Sequence, residues 1–79
     1  MTIYLKTGGR LNQLLKPNID DFTRQVVIEE NLTLKEILLK MDFPVDQIAF
    51  AYVEGRFQRL DYRPKEGQVI TLQPPVSGG

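Results

Sequence analysis

One short stretch of this 79-residue chain does most to fix its fold: Thr33-Leu34-Lys35-Glu36, followed by an apolar run. The spacing is that of a capping box. The Thr33 hydroxyl can accept from the Glu36 amide, and the Glu36 carboxylate can accept from the Thr33 amide. Leu32 and Ile37 stand where a hydrophobic staple would form. Leu34, Ile37, Leu38 and Met41 fall on one helical face, and Asp42-Phe43-Pro44 closes the element. No other segment reads as so good a helix. One helix can cover one face of one sheet, so the stripe is expected to be core. Its other use, as a helix offered to a partner's groove, would leave the sheet bare.

The flanking segments read as strands. Thr2 to Lys6 alternates Ile3 and Leu5 with Thr2, Tyr4 and Lys6, the period of a half-buried strand. Arg24 to Glu30 is the second, with Val26 and Ile28 on one side and Gln25, Val27 and Glu29 on the other. Ile48 to Val53 is the third, and Glu54-Gly55 turns it into a fourth, Arg56 to Leu60. Residues 62 to 67 are turn material. Gln68 to Gln73 is the last strand, with Ile70 and Leu72 facing one way and Val69, Thr71 and Gln73 the other. Between the first two strands, Leu11, Leu14 and Leu15 are spaced for one face of a short helix that Lys16-Pro17 ends. Gly8-Gly9 reads as a turn. Because the main helix joins strands two and three, it must cross the sheet. The result is an α+β domain with the other sheet face partly open.

Composition narrows the function. Ten basic and ten acidic residues cancel, so no strong field draws in nucleic acid or an anionic membrane. No stretch is apolar enough to span a bilayer. The opening MTIYLKTGG lacks a signal-peptide layout, which makes the cytoplasm the expected location. The chain contains neither Cys nor His. That removes thiol nucleophiles, imidazole bases, the usual triads and thiolate zinc sites. Asp20-Asp21 and Glu29-Glu30 are neighbours in sequence, which do not face one another on a helix or strand, and no metal site is expected. A self-contained enzyme is not expected.

The last stretch, Gly67-Gln-Val-Ile-Thr-Leu-Gln-Pro-Pro-Val-Ser-Gly-Gly79, combines a Gly turn, an apolar strand and Pro-Pro-Val-x-Gly-Gly. With the element order, it resembles the β-grasp fold of the ubiquitin-like sulfur carriers, and most of all the small subunit of molybdopterin synthase. The thiamine-pathway carriers also end in Gly-Gly but usually lack the Pro pair. This chain has Gly67-Gln68 where members often have Gly-Asp, Gln73 where an apolar residue commonly precedes the prolines, and a long first connection.

The resemblance implies a mixed sheet of four to five strands with one main helix across it, in a domain over residues 1–73, and an extended, flexible tail over 74–79. An E1-like adenylating enzyme would activate the Gly79 carboxylate with ATP, and sulfur would replace the adenylate as a thiocarboxylate. A larger catalytic subunit of a synthase-type complex would then take the sulfur for the molybdenum cofactor. The carrier needs no catalytic residue and no resident cofactor. The residue types suit this task. Gly78 and Gly79 lack a Cβ, so the backbone can approach a phosphate closely. Pro74 and Pro75 hold an extended approach and lower the ordering entropy of insertion. Val76 fits a small apolar pocket along a channel, and Ser77 is small. Phe57 and Leu60, with Val69, Thr71 and Gln73, are candidates for a docking patch. Pattern alone leaves open whether Phe57 or Leu60 is core, because the register is unknown. Two other readings begin from the same fold: a ubiquitin-like modifier joined to lysines, and a sulfur carrier serving thiamine, a tungsten cofactor or tRNA. A third is a β-grasp binding module whose Gly-Gly is incidental.

Overall fold

The computed structural model describes residues 1–75. Strand β1 (Thr2–Lys6) lies beside β2 (Thr23–Val27), antiparallel, with Ile3 opposite Val26. On its other side β1 runs parallel to β5 (Val69–Gln73). β5 in turn pairs antiparallel with β3 (Phe50–Val53), and β3 with β4 (Arg56–Gln58). The sheet order is β2-β1-β5-β3-β4, which puts the last strand at the centre. This is the mixed five-stranded sheet of a β-grasp domain.

Helix α1 (Leu11–Leu15) lies in the first connection, and α2 (Leu34–Lys40) crosses the sheet between β2 and β3. The capping box forms as the sequence predicts. The Glu36 amide donates to the Thr33 hydroxyl at 3.1 Å and the Thr33 amide to Glu36 Oε1 at 2.9 Å. Two further amides at the helix start, those of Leu34 and Lys35, donate to the carbonyls of Tyr62 and Leu60 at 2.9 Å. Four amides at a helix start lack intrahelical partners, and here side chain and loop between them supply acceptors. The two hydrogen bonds to Thr33 hold the Glu36 carboxyl below its ordinary 4.5.

The stripe is core. Leu34, Ile37 and Leu38 are fully buried against Ile3, Leu5, Ala51, Val53, Ile70 and Leu72, and Leu32 and Met41 pack at the edge. Strand boundaries differ from the sequence reading. β2 ends at Val27 rather than Glu30, β3 begins at Phe50 after a 3-10 turn (Val45–Gln47), and β4 stops at Gln58 rather than Leu60. At β3 and β4 the chain leaves the ladder to serve the core or the helix, while past β2 Ile28 still exchanges hydrogen bonds with Met1. Ile48 is buried just before β3, and the Leu60 carbonyl has turned to the helix start.

Leu14 is the other difference. Leu11 and Leu15 are buried, but Leu14 is 48% exposed. Around a helix Leu15 sits about 40° to one side of Leu11 and Leu14 about 60° to the other. A helix of five residues buries only a narrow stripe, and Leu14 falls at its rim. The left-handed Lys16, with φ of 57°, then ends the helix, one residue ahead of Pro17.

The long connection also seals an edge. The Asn18 side chain accepts from the Gln25 amide at 2.8 Å and donates to the Gln25 carbonyl at 3.2 Å, while the amides of Asn18 and Ile19 donate to the Thr23 carbonyl. Asn18 thus stands in for a neighbouring strand along β2, an edge that would otherwise invite pairing. Asp20 fixes the return, accepting from the Phe22 amide and the Thr23 hydroxyl, and these bonds lower its carboxyl from the ordinary 3.8.

Candidate docking face and tail root

Alternation along β5 assigns its two faces. Ile70 and Leu72 are buried under the helix, whereas Val69, Thr71 and Gln73 face away from it. The pairing register extends that outer face sideways. Tyr4 lies opposite Val69, Tyr52 opposite both Thr71 and Phe57, and Phe50 opposite Gln73. Residues directly opposite one another share a face. The turn Glu54-Gly55 sets the register of β3 against β4. Both residues have positive φ, 53° and 77°, as a two-residue hairpin of the favoured twist demands.

An aromatic cluster results on the uncovered side. The Phe50 ring meets Tyr52 edge-on at 5.4 Å and leans on Phe57 at 4.7 Å. Phe57 is 56% exposed, Val69 45% and Tyr52 43%. Aromatic rings left in water beside an apolar strand make this face the candidate docking patch, since aromatic residues concentrate at protein interfaces. Of the sequence candidates, Phe57, Val69, Thr71 and Gln73 are brought together here. Leu60 is not. It is half-buried and packs on the core, and its carbonyl is held by the helix start. Leu60 instead lines an open groove of about 610 Å³ under the edge strand, with Lys35, Val45, Asp46 and Arg59, which Phe57 borders from the other side.

Phe50 and Tyr52 belong to the face and were not singled out from the sequence. The signal was present: a two-residue turn at Glu54-Gly55 pairs Val53 with Arg56 and so Tyr52 with Phe57. Gln68 also gains a role. Its carboxamide oxygen accepts from the Tyr62 hydroxyl at 2.8 Å and from the Lys65 amide at 2.9 Å. It fixes the turn into β5.

Pro74 and Pro75 follow β5 at the end of the sheet and are exposed. Val76, Ser77, Gly78 and Gly79 lie outside the described residues. The prolines border a second open groove, of about 790 Å³, formed with Gly8, Gly9, Leu11 and Leu14 of the first connection. Among the described residues no helix is long and apolar enough to cross a membrane, and no cluster of acidic side chains is placed to hold a metal.

Two solved structures resemble this fold. A Pyrococcus furiosus protein assigned as molybdopterin converting factor, subunit 1, superposes with a TM-score of 0.68 at 17% identity, covering 95% of this chain and 98% of its own. SAMP1 from Haloferax volcanii superposes with a TM-score of 0.69 at 20% identity, with each chain covered in full. No curated protein matches the sequence. The ThiS family matches residues 10–79, from the loop that lines the second groove through the central strand to the final glycine. By that match, on a β-grasp fold, the chain belongs to the ThiS family of ubiquitin-like sulfur carriers.

Proposed function

We propose that this protein carries sulfur on the carboxylate of Gly79, for transfer into molybdopterin. The observation that carries the reading is the placement of Pro74 and Pro75 directly after the central strand, beside the exposed aromatic face. A partner that grips the face receives whatever follows the prolines.

A carboxylate is a poor electrophile. An adenylating enzyme overcomes this when the Gly79 carboxylate attacks the α-phosphorus of ATP and pyrophosphate leaves. A sulfur nucleophile then adds to the acyl carbon and AMP departs, leaving a thiocarboxylate. The thiocarboxylate sulfur displaces a leaving group on the acceptor to form a thioester, and water then cleaves the acyl–sulfur bond, leaving the sulfur on the acceptor and restoring the carboxylate. Each step takes place in a partner's site. The carrier contributes a docking face, a stiff approach through Pro74 and Pro75, and at Gly78 and Gly79 a backbone without side chains. The name of the Pyrococcus protein, a subunit of a molybdopterin converting factor, supports a second, larger subunit as the acceptor here. The Pro pair before Val76 supports the same destination over thiamine.

Intact mass after incubation with ATP, a sulfide source and the adenylating enzyme of the same organism tests the reading. The expected gain equals one oxygen exchanged for sulfur, and it is absent when Gly79 is deleted. Lysine conjugates carrying residues 66–79, with no such gain, would instead mark a protein modifier.

A further inference from the structure

The first connection begins and returns at the end of the sheet where β5 finishes. Lys6, the last residue of β1, pairs with both Thr23 and Thr71, and Gln73 pairs with Phe50. One end of the sheet therefore gathers the root of the tail, the whole 8–22 connection and the approach to β3. Three exposed apolar side chains belong to that connection: Leu14, Ile19 and Phe22, from 48% to 59% exposed. None of them is needed for the core, and none lies on the aromatic face. Leu14 shares the second groove with Pro74 and Pro75, and Arg10 and Asp46 stand at the groove as charges of opposite sign.

Tail length decides what covers this groove. On the carrier reading Gly79 bears the reactive carboxylate, and residues 76–79 link it to Pro75. Four residues fully extended reach at most about 14 Å. An enzyme that encloses the Gly79 carboxylate must bring its channel mouth within that distance of Pro75. A mouth that close comes beside the groove, because Pro74 and Pro75 themselves line it. We propose that the Gly8–Leu14 segment is a second docking surface for the adenylating enzyme, which seats an apolar side chain of its channel mouth between Leu14 and Pro75. The tail root is then held from two sides, by the aromatic face and by this groove. The inference rests on the carrier function proposed above.

Two variants test it without disturbing the core. Leu14→Glu puts a charge at an exposed position. Gly8→Tyr fills the groove from the other wall, since a Cβ at Gly8 meets nothing within 4 Å and its φ lies outside the left-handed range. Leu39→Glu, exposed on α2 away from the groove, is the control. The reading is pyrophosphate exchange catalysed by the organism's adenylating enzyme, with melting curves recorded beside it. Both groove variants are expected to raise KM for the carrier at least about tenfold, with kcat within about twofold of wild type. The control should match wild type. Wild-type KM in both groove variants overturns the second surface while leaving the carrier function standing. A lower KM in Leu14→Glu also overturns it, since the groove would then hold the chain's own tail. No exchange with the unaltered chain would defeat the carrier function, and this inference with it.

Discussion

Val69 and Ile70 are consecutive residues of one strand, both β-branched and apolar, yet Ile70 is sealed from water and Val69 is 45% exposed. The same division runs along β1, β3 and β5. Under α2 lie aliphatic side chains at close packing: Ile3, Leu5, Ala51, Val53, Ile70 and Leu72. On the far side lie Tyr4, Phe50, Tyr52 and Phe57, mixed with Thr71 and Gln73. The covered face is chemically uniform because its only task is to exclude water. The open face mixes aromatic rings with polar groups and meets water, and on the carrier reading it would lose that water in a complex. Rings give large contact area with few rotatable bonds, which limits the entropy lost on docking.

The difference is sharpest in neighbouring substitutions. Ile70→Ala should cost about 2–5 kcal/mol in urea unfolding, the range for emptying a filled core site. In a domain this small such a loss is a large part of total stability. A cost below about 1 kcal/mol would mean that the helix does not pack on β5 as described. Next in size is the cap that holds the covering helix in place. Thr33→Ala removes the hydroxyl that accepts from Glu36 and should cost about 1 kcal/mol by the same measurement.

Acid should act on both ends of the comparison, more gently. Glu36, at the cap, and Asp20, in the loop near the tail root, both have carboxyls held below their ordinary values by hydrogen bonds. Their contribution to stability is full above the ordinary 4.5 and 3.8, and it is lost as pH falls through the lowered folded values. Melting temperature should decline in that acidic window, and the decline should be shallower in a Glu36→Gln, Asp20→Asn double variant. An identical slope in both proteins would place the acid sensitivity elsewhere. The smallest effect belongs to the open face. Val69→Thr should leave unfolding free energy within about 0.5 kcal/mol of wild type. A larger cost would show that Val69 is part of the packed interior after all.

Much of this protein was readable in its sequence, and for identifiable reasons. The capping box and its stripe involve residues within one or two turns, so local spacing was enough to place α2 and its buried side. Strand β1 and the inward pair Ile70 and Leu72 followed from alternation. The Gly-Gly tail and the Pro pair pointed to a carrier through resemblance, a sequence property by nature. Where the reading went wrong, the deciding contacts were distant. Leu60 reads as strand and patch, but its carbonyl serves the amide of Lys35 and its side chain packs inward. The short helix over Leu11, Leu14 and Leu15 forms as its spacing predicts, and its five residues bury Leu11 and Leu15 but not Leu14.

What the sequence determined by itself was therefore the helix, the alternation within each strand and the absence of Cys and His. Each depends on neighbours along the chain or on composition. Which strand stands at the centre, which alternating set meets the helix at the ends of β3 and β4, and how the first connection comes to flank the tail root were decided only in three dimensions. Pairing of β1 with β5 joins residues more than sixty positions apart, and no local pattern encodes a parallel register across that distance. That pairing sets Pro74 and Pro75 at the end of the sheet where the first connection also begins and returns, beside Gly8, Gly9 and Leu14.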